Sequence, residues 1–267
     1  MASREPPHAE QYKHTAHLKS FPRKNINIKT PNIPYMKIAI SLGGSLLTGK
    51  NTDPHITLNP ENYKRYAAII RRLHSEGHTL MVVCGGGKPA RYFIEAAKQL
   101  NASHDIQDNL GVKSTHINAL LFTAALGDIA DQTRIYQRGS DLKHAPSGKV
   151  LVGGGYKPGS STDYRAVIFA GAMQADLIIN ATDIDGVYTK NPKLHRDAEK
   201  LPELTCLRLE EIIKENTRQA PGEYGLFDLK GVRLAKKLNI PLVIIDGSDP
   251  EEIIRAIKGT HNGSTIR

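Results

Sequence analysis

Hydrophobic residues come in short, nearly continuous runs, separated by longer stretches with a helical period. The runs KIAISL (37–42), TLMVVC (79–84), KVLVG (149–153), ADLIINAT (175–182) and PLVIID (241–246) are rich in Val, Ile and Leu. Such runs predict central strands covered on both faces, because a strand with one wet face would alternate. NPENYKRYAAIIRRLHSEG, between the first two, carries Asn59 as N-cap, Pro60 at the first helical position and Gly77 past the end. That set predicts a helix with defined ends. KPARYFIEAAKQL, HINALLFTAAL, TDYRAVIFAGAMQ, LKGVRLAKKL and DPEEIIRAI continue the rhythm. Alternating strands and helices predict an α/β fold, a three-layer α/β/α sandwich with a mostly parallel central sheet.

A chain of 267 residues suits one large α/β domain, or two small ones sharing a sheet. Without internal repeats or low-complexity tracts, residues 36–267 read as a single domain. Residues 1–35 are rich in Pro, His and Lys and have no apolar stretch of the kind a secretory signal needs. They read as a disordered basic tail or an edge arm, with Met36 as a candidate alternative start. The formal charge is +9, and the first 35 residues supply +4 of it. A basic surface of this size fits an anionic small-molecule substrate; with no RNP, KH or zinc-finger pattern, nucleic acid is a minority reading. The aromatic content of 6% with no Trp argues against a stacking platform. Cys84 and Cys206 are far apart and form no C-x-x-C, so a zinc site or disulfide framework is not expected and a reducing cytoplasm is. No run of about 18 apolar residues predicts a membrane span.

Glycine clusters follow three of the predicted strands, at 43–45, 85–87 and 153–155. In an open parallel sheet, ligands bind beyond the carboxyl ends of the strands, and glycine lets the backbone approach a phosphate. A single cluster is as well explained by a tight turn; three at one edge point to a phosphate-bearing ligand. From Gly44 the chain reads G-x-x-x-x-G-K, but Asn51 stands where a P-loop needs Ser or Thr. KNTDPHITLNP follows, with Pro54 and Pro60, so no helix is expected to start at Lys50. Gly85, Gly87 and Ala90 fit a dinucleotide fingerprint, but the acidic residues at the right distance, Asp105 and Asp108, lie in NASHDIQDN, which is no strand. Two further segments carry chemistry. GGGYKPGSSTDYRAVIFAGAMQ joins a glycine turn, a hydroxyl-rich loop and a helix start at Thr162–Asp163, and ATDIDGVYTKNPK follows a buried strand with hairpin turn residues.

LGGSLL, VVCGGGKPAR, QDNLGV, GGYKPGSSTD, ADLIINATDIDGVYTKNP, EYGLFD and IKGTHNGSTI, in this order, resemble the amino-acid kinase superfamily, most closely its archaeal-type uridylate (UMP) kinases. The resemblance runs from Met36 to the C-terminus. It implies ATP-dependent phosphorylation of UMP to UDP in pyrimidine biosynthesis, with Mg²⁺ accompanying ATP and a cytoplasmic homo-oligomer, a hexamer by analogy. It implies that Gly43, Gly44 and Ser45 contact ATP phosphates, that Gly86 and Gly87 lie between the two ligands, and that Arg91 bridges them. Asp108 accepts from the ribose of UMP. The loop Gly155, Tyr156, Lys157, Pro158, Gly159, Ser160, Ser161, Thr162 encloses uracil and the UMP phosphate. Thr182, Tyr188 and Asn191 fall on the ATP-side hairpin, and Arg91 and Asp163 are the catalytic pair. No protein metal site is implied.

The chain departs from the superfamily at several places. Ser41 stands where many members have lysine, Asn191 where Asp is usual, and His116 at a common Arg position. Lys88, Lys157 and Arg233 are the candidate replacement cations. Two other readings stay open on the residues: a kinase of the same fold with a carboxylate, carbamate or isoprenoid phosphate acceptor, and a non-catalytic oxyanion-binding or storage protein. The D-x-x-G element at Asp108 and the loop before Asp163 favour a nucleotide acceptor.

Overall fold

The computed structural model describes residues 34–49, 58–216 and 226–267. Most of the basic tail, Lys50 and the first three residues of EYGLFD lie outside them. In chain order, β1 (Lys37–Leu42) leads through a short α1 (Gly44–Thr48) to α2 (Pro60–Ser75) and β2 (Thr79–Cys84). The α3 (Gly87–Gln99) and α4 (His104–Leu126) helices then form a hairpin, before β3 (Leu151–Gly153), α5 (Thr162–Met173) and β4 (Leu177–Thr182). Three short strands follow, β5 (Val187–Tyr188), β6 (Lys200–Leu201) and β7 (Glu203–Leu204), then α6 (Cys206–Asn216) and α7 (Leu229–Leu238). The chain closes with β8 (Leu242–Asp246), α8 (Glu251–Lys258) and β9 (Ser264–Ile266).

The main sheet has the order β3-β2-β1-β4-β8-β9-β7. Its pairings are parallel except where β9 runs antiparallel to β8, so the expected mostly parallel sheet is present. β5 and β6 pair as a separate antiparallel ribbon. Alternation within the strands builds the layers. Ile38, Ile40 and Leu42 pack with Leu80, Val82, Leu177 and Ile179 against Ile70 of α2, Phe122 of α4 and Ile253 of α8. Ala39, Ile178 and Ile244 face the other way, onto Val167 of α5, Leu209 of α6 and Val232 of α7. Each Ile or Leu buried this way contributes about 1.5–3 kcal/mol, which fixes the register of β1. By the same alternation Ser41 points toward α5, the helix that Thr162 and Asp163 open.

Helix α2 has the ends its sequence announces: the Asn59 side chain accepts from Glu61 N–H, and Gly77 turns away at φ +94°. Helix α4 is longer than the expected HINALLFTAAL stretch, starting at His104 behind the Ser103 cap. Asp105 and Asp108 therefore sit on a helix, not a strand. Among the described residues no helix is long and apolar enough to cross a membrane.

Candidate active site

The three glycine clusters lie at the carboxyl ends of β1, β2 and β3, which are neighbours in the sheet. The first turn is tied to β4 by Gly43 N–H donating to Ala181 O at 2.9 Å. A five-residue helix opens at Gly44, earlier than any P-loop helix at Lys50 would, and ends at Gly49 with φ +81°. The first and second turns touch through their backbones. A Cβ on Gly87, itself at φ +60°, would stand 2.5 Å from Gly44 O and 2.6 Å from Thr48 Oγ1. Thr48 braces the contact by donating to Gly44 O at 2.9 Å and accepting from Lys88 N–H at 3.2 Å.

Helix α4 holds the other two turns. Asn118 Nδ2 donates to Gly85 O at 2.7 Å and Gly86 O at 3.0 Å, while its Oδ1 accepts from Tyr63 O–H at 2.9 Å. Burial pushes the Tyr63 phenol well above its ordinary value, so it stays a donor. One turn earlier, Thr115 Oγ1 accepts from Gly155 N–H at 2.7 Å and His116 Nε2 meets Gly155 O at 2.6 Å.

Between these turns lies a cavity of about 380 Å³. Gly86, Gly87 and Arg91 line it from α3, Asp108, Gly111 and Thr115 from α4, and Gly155 with Lys157 through Thr162 from the third loop. Most residues expected to hold an acceptor nucleotide are thus in one place. Arg91 is exposed and forms no ion pair among the described residues. The Tyr156 ring is not part of the lining; the Arg138 and Arg165 guanidinium carbons lie 4.8 and 5.4 Å from its centroid.

Asp163 stands in the first turn of α5, beside the cavity rather than in its lining. Its Oδ1 accepts from Ser41 Oγ at 2.7 Å, the meeting that the strand alternation sets up. Desolvation, then the nearby Asp228 carboxylate, raise Asp163 to about 6 against the opposing Ser41 hydrogen bond. The loop end is fixed separately. Ser161 caps α5 by accepting from Tyr164 N–H and donates to Asp228 Oδ2 at 2.6 Å, while Asp228 caps α7.

The remaining expected residues lie on the β4 side of the first turn. Thr182 ends β4 and its carbonyl accepts from Gly247 N–H at 2.7 Å. Tyr188 O–H donates to Asp185, which also pairs with Lys200 at 3.1 Å; these bonds hold Asp185 below the ordinary carboxylate range. Asn191 is buried and its Oδ1 accepts from Lys193 N–H, so it caps a turn. Gly43, Gly44 and Ser45 lie between the cavity and this hairpin, since β1 separates β2 from β4. Of the candidate cations, Lys157 lines the cavity, Lys88 sits in the first turn of α3, and Arg233 pairs with Glu210 at 3.0 Å away from it.

The sequence reading passed over Thr115 and Asn118, which hold the turns, and marked His116 only as standing at a common Arg position. Thr115 and Asn118 are buried polar residues on a helix face that otherwise carries Ala119 and Phe122. Polar residues at core spacing in STHINALLF were the available signal.

Residues 36–246 match the family model described as the Amino acid kinase family. Over 231 residues the chain is 36% identical to a uridylate kinase of Methanobrevibacter smithii, covering 86% of this chain and 99% of that protein. It is 38% identical over 236 residues to a uridylate kinase of Methanocella arvoryzae, covering 87% and 100%. The crystal structure of the uridylate kinase from Archaeoglobus fulgidus superposes with a TM-score of 0.74 at 31% identity, over 87% of this chain and 100% of that one.

Proposed function

Since this chain belongs to the amino acid kinase family, we propose that it is a nucleoside monophosphate kinase that transfers the γ-phosphoryl group of ATP to UMP. The observation that carries this reading is the cavity that gathers Arg91, Asp108 and the 155–162 loop around Gly86 and Gly87. The uridylate kinases of similar sequence and structure support UMP as the acceptor. Asp108 also favours a nucleotide, because a carboxylate lining the cavity accepts from sugar hydroxyls.

A phosphate oxygen of UMP attacks the γ-phosphorus, and the bond between that phosphorus and the β–γ bridging oxygen breaks in line, leaving ADP. The acceptor oxygen is already anionic, so no side chain has to remove a proton. What the reaction needs is placement of two anionic chains and donors that meet charge as it spreads over the γ-oxygens. Arg91 supplies the mobile cation. Gly43 N–H is spent on Ala181 O, so Gly43 fixes the turn, and the backbone N–H groups of Gly44 and Ser45 and of Gly86 and Gly87 supply fixed donors where the first two turns touch. Thr182, Tyr188 and Asn191 mark the ATP side, and Asp163 orders Ser41 beneath the junction. Mg²⁺ is coordinated mainly by phosphate oxygens and water in such reactions, so we take it as part of the ATP substrate.

The reading includes a homo-oligomer, a hexamer by analogy, in the cytoplasm. The outer faces of α3 and α4 support a second copy as partner. Tyr92, Phe93 and Leu100 are exposed on α3 and at its end, and Ile106, Ile117, Leu120 and Leu121 on α4. They offer several hundred Å² of apolar surface, comparable to one side of a stable interface at about 800 Å² per partner.

The test is ADP release from ATP with a panel of UMP, CMP, AMP and acetylglutamate. Turnover with UMP well above the rest is expected; equal rates across the panel, or none with UMP, overturn the reading.

A further inference from the structure

Gly155 opens the acceptor loop, and both of its backbone polar groups are held by consecutive side chains of α4. Its N–H donates to Thr115 Oγ1 at 2.7 Å, and its carbonyl meets His116 Nε2 at 2.6 Å. The Thr115 hydroxyl proton is committed to Val112 O at 2.6 Å, so the lone pair facing Gly155 can only accept. A carbonyl oxygen also only accepts, which makes Nε2 the protonated ring nitrogen of His116. Successive helix residues point about 100° apart, so the two side chains grip Gly155 from different directions.

The preceding residue lies flat on the helix. A Cβ on Gly154 would stand 2.7 Å from His116 Cδ2 and 2.8 Å from Thr115 Oγ1. Beyond Tyr156, whose ring lies against Arg138 and Arg165, the loop is thinly held until Ser161. Gly159 turns at φ +69° with open space around it, and Ser160 Oγ is buried with no hydrogen-bond partner. The loop therefore hangs from the α4 clamp on Gly155, the Tyr156 ring against Arg138 and Arg165, and the bond from Ser161 to Asp228. Helix α4 carries Asp108 and Gly111 into the same cavity, so the clamp also sets the loop's distance from the residues it faces.

We propose that Thr115 and His116 are positioning residues for the acceptor: they fix the loop at the distance from Asp108 and Arg91 at which a nucleoside monophosphate is held. This rests on the reading of the cavity as the UMP site. Neither side chain needs to touch the reacting atoms.

The test compares His116→Leu, His116→Gln, Thr115→Val and Thr115→Ser in the full chain. Amide hydrogen exchange of residues 155–161 is measured without ligands, and KM for UMP and for ATP with them. Losing one such bond corresponds to about a tenfold effect. His116→Leu and Thr115→Val are expected to speed loop exchange and raise KM for UMP by about that factor, leaving KM for ATP within about twofold. Glutamine places an amide donor near the Nε2 position and serine keeps the hydroxyl, so both should recover most of the loss. Unchanged loop exchange in the Leu and Val variants overturns the proposal. So do equal rises in both KM values, or rescue variants no better than their partners. If the parent protein does not turn over UMP, the functional reading fails by itself, and the exchange data still decide whether the clamp orders the loop. If His116→Leu does not fold, the Gln variant and the Thr115 pair carry the same comparison.

Discussion

Ser41 gives Asp163 only a neutral hydrogen-bond donor, and that bears directly on how the carboxyl group titrates. With only a hydroxyl to offset desolvation and Asp228, Asp163 is raised from 3.8 to about 6. Between those pH values the folded protein binds more protons than the unfolded chain, so stability is present near pH 4 and is lost as pH rises through about 6. Asp163→Asn keeps an acceptor for Ser41 and removes the titration. It should match the parent near pH 4 and exceed it by about 2–3 kcal/mol above pH 7, seen as a Tm difference that grows with pH. A difference that stays flat from pH 4 to 8 would mean that Asp163 is not the group responsible. Asp108→Asn tests the acceptor side. Loss of a charged acceptor worth about 1.5–3 kcal/mol should raise KM for UMP and leave that for ATP nearly unchanged; equal weakening of both ligands would mark Asp108 as structural. Arg91 and Lys50 separate the site described here from a P-loop. A donor to developing charge is worth about 3 kcal/mol, so Arg91→Ala should lower kcat about a hundredfold at saturating ATP and UMP, while Lys50→Ala stays within about threefold. The reverse ranking would restore the P-loop.

At the scale of elements, the junction of the first two glycine turns makes its own prediction. Gly87 lies at φ +60° with Gly44 O and Thr48 Oγ1 where a side chain would go. Gly87→Ala therefore adds left-handed strain of about 1–2 kcal/mol and forces the turns apart. Because both phosphate chains meet there, KM should rise for ATP and UMP together, unlike the one-sided effect at Asp108. A variant with parent kinetics would place the phosphates elsewhere. The elements themselves were legible to different degrees. The strands β1, β2, β3, β4 and β8 were visible because doubly covered strands are continuous apolar runs, although β3 keeps only three residues of its run, and α2 because Asn59, Pro60 and Gly77 mark its ends. The first turns of α4 were not visible. HDIQDNLGV mixes polar residues with Gly111, a residue that costs a helix about 1 kcal/mol, and here that glycine lines the cavity with its missing Cβ toward Ile94 at 3.4 Å. The short strands β5, β6, β7 and β9 have no period of their own and depend on pairing. At the site, the glycine clusters and the hydroxyl-rich stretch before Asp163 were readable from composition, whereas the roles of Arg91, Asp108 and the 155–162 loop came from the family resemblance. The clamp residues Thr115, His116 and Asn118 were not, because their partners are backbone groups more than 30 residues away.

At the scale of the whole molecule, most of the large apolar side chains exposed among the described residues lie on α3 and α4 or at the end of α3, and α4 links them to the cavity. Ile106, Ile117 and Leu120 are exposed on the side of α4 away from Thr115 and Asn118, which are buried. They recur near the three- and four-residue spacing of a helix packing seam. A monomer seldom keeps such a face in water, since contiguous apolar patches beyond about 300–600 Å² mark contact sites. If a second copy covers it, charges placed at its centre should separate the copies without unfolding either, because these side chains support no core. The doubly substituted chain Ile117→Glu, Leu120→Glu is expected to sediment as a smaller species than the parent at micromolar concentration, with an unchanged far-ultraviolet circular dichroism spectrum. Deleting residues 1–35 is the control: on the tail reading it leaves both size and turnover nearly intact. Should the double variant keep the parent's size while the deletion shrinks it, the basic segment is the assembling arm and the α3–α4 face is covered by something else.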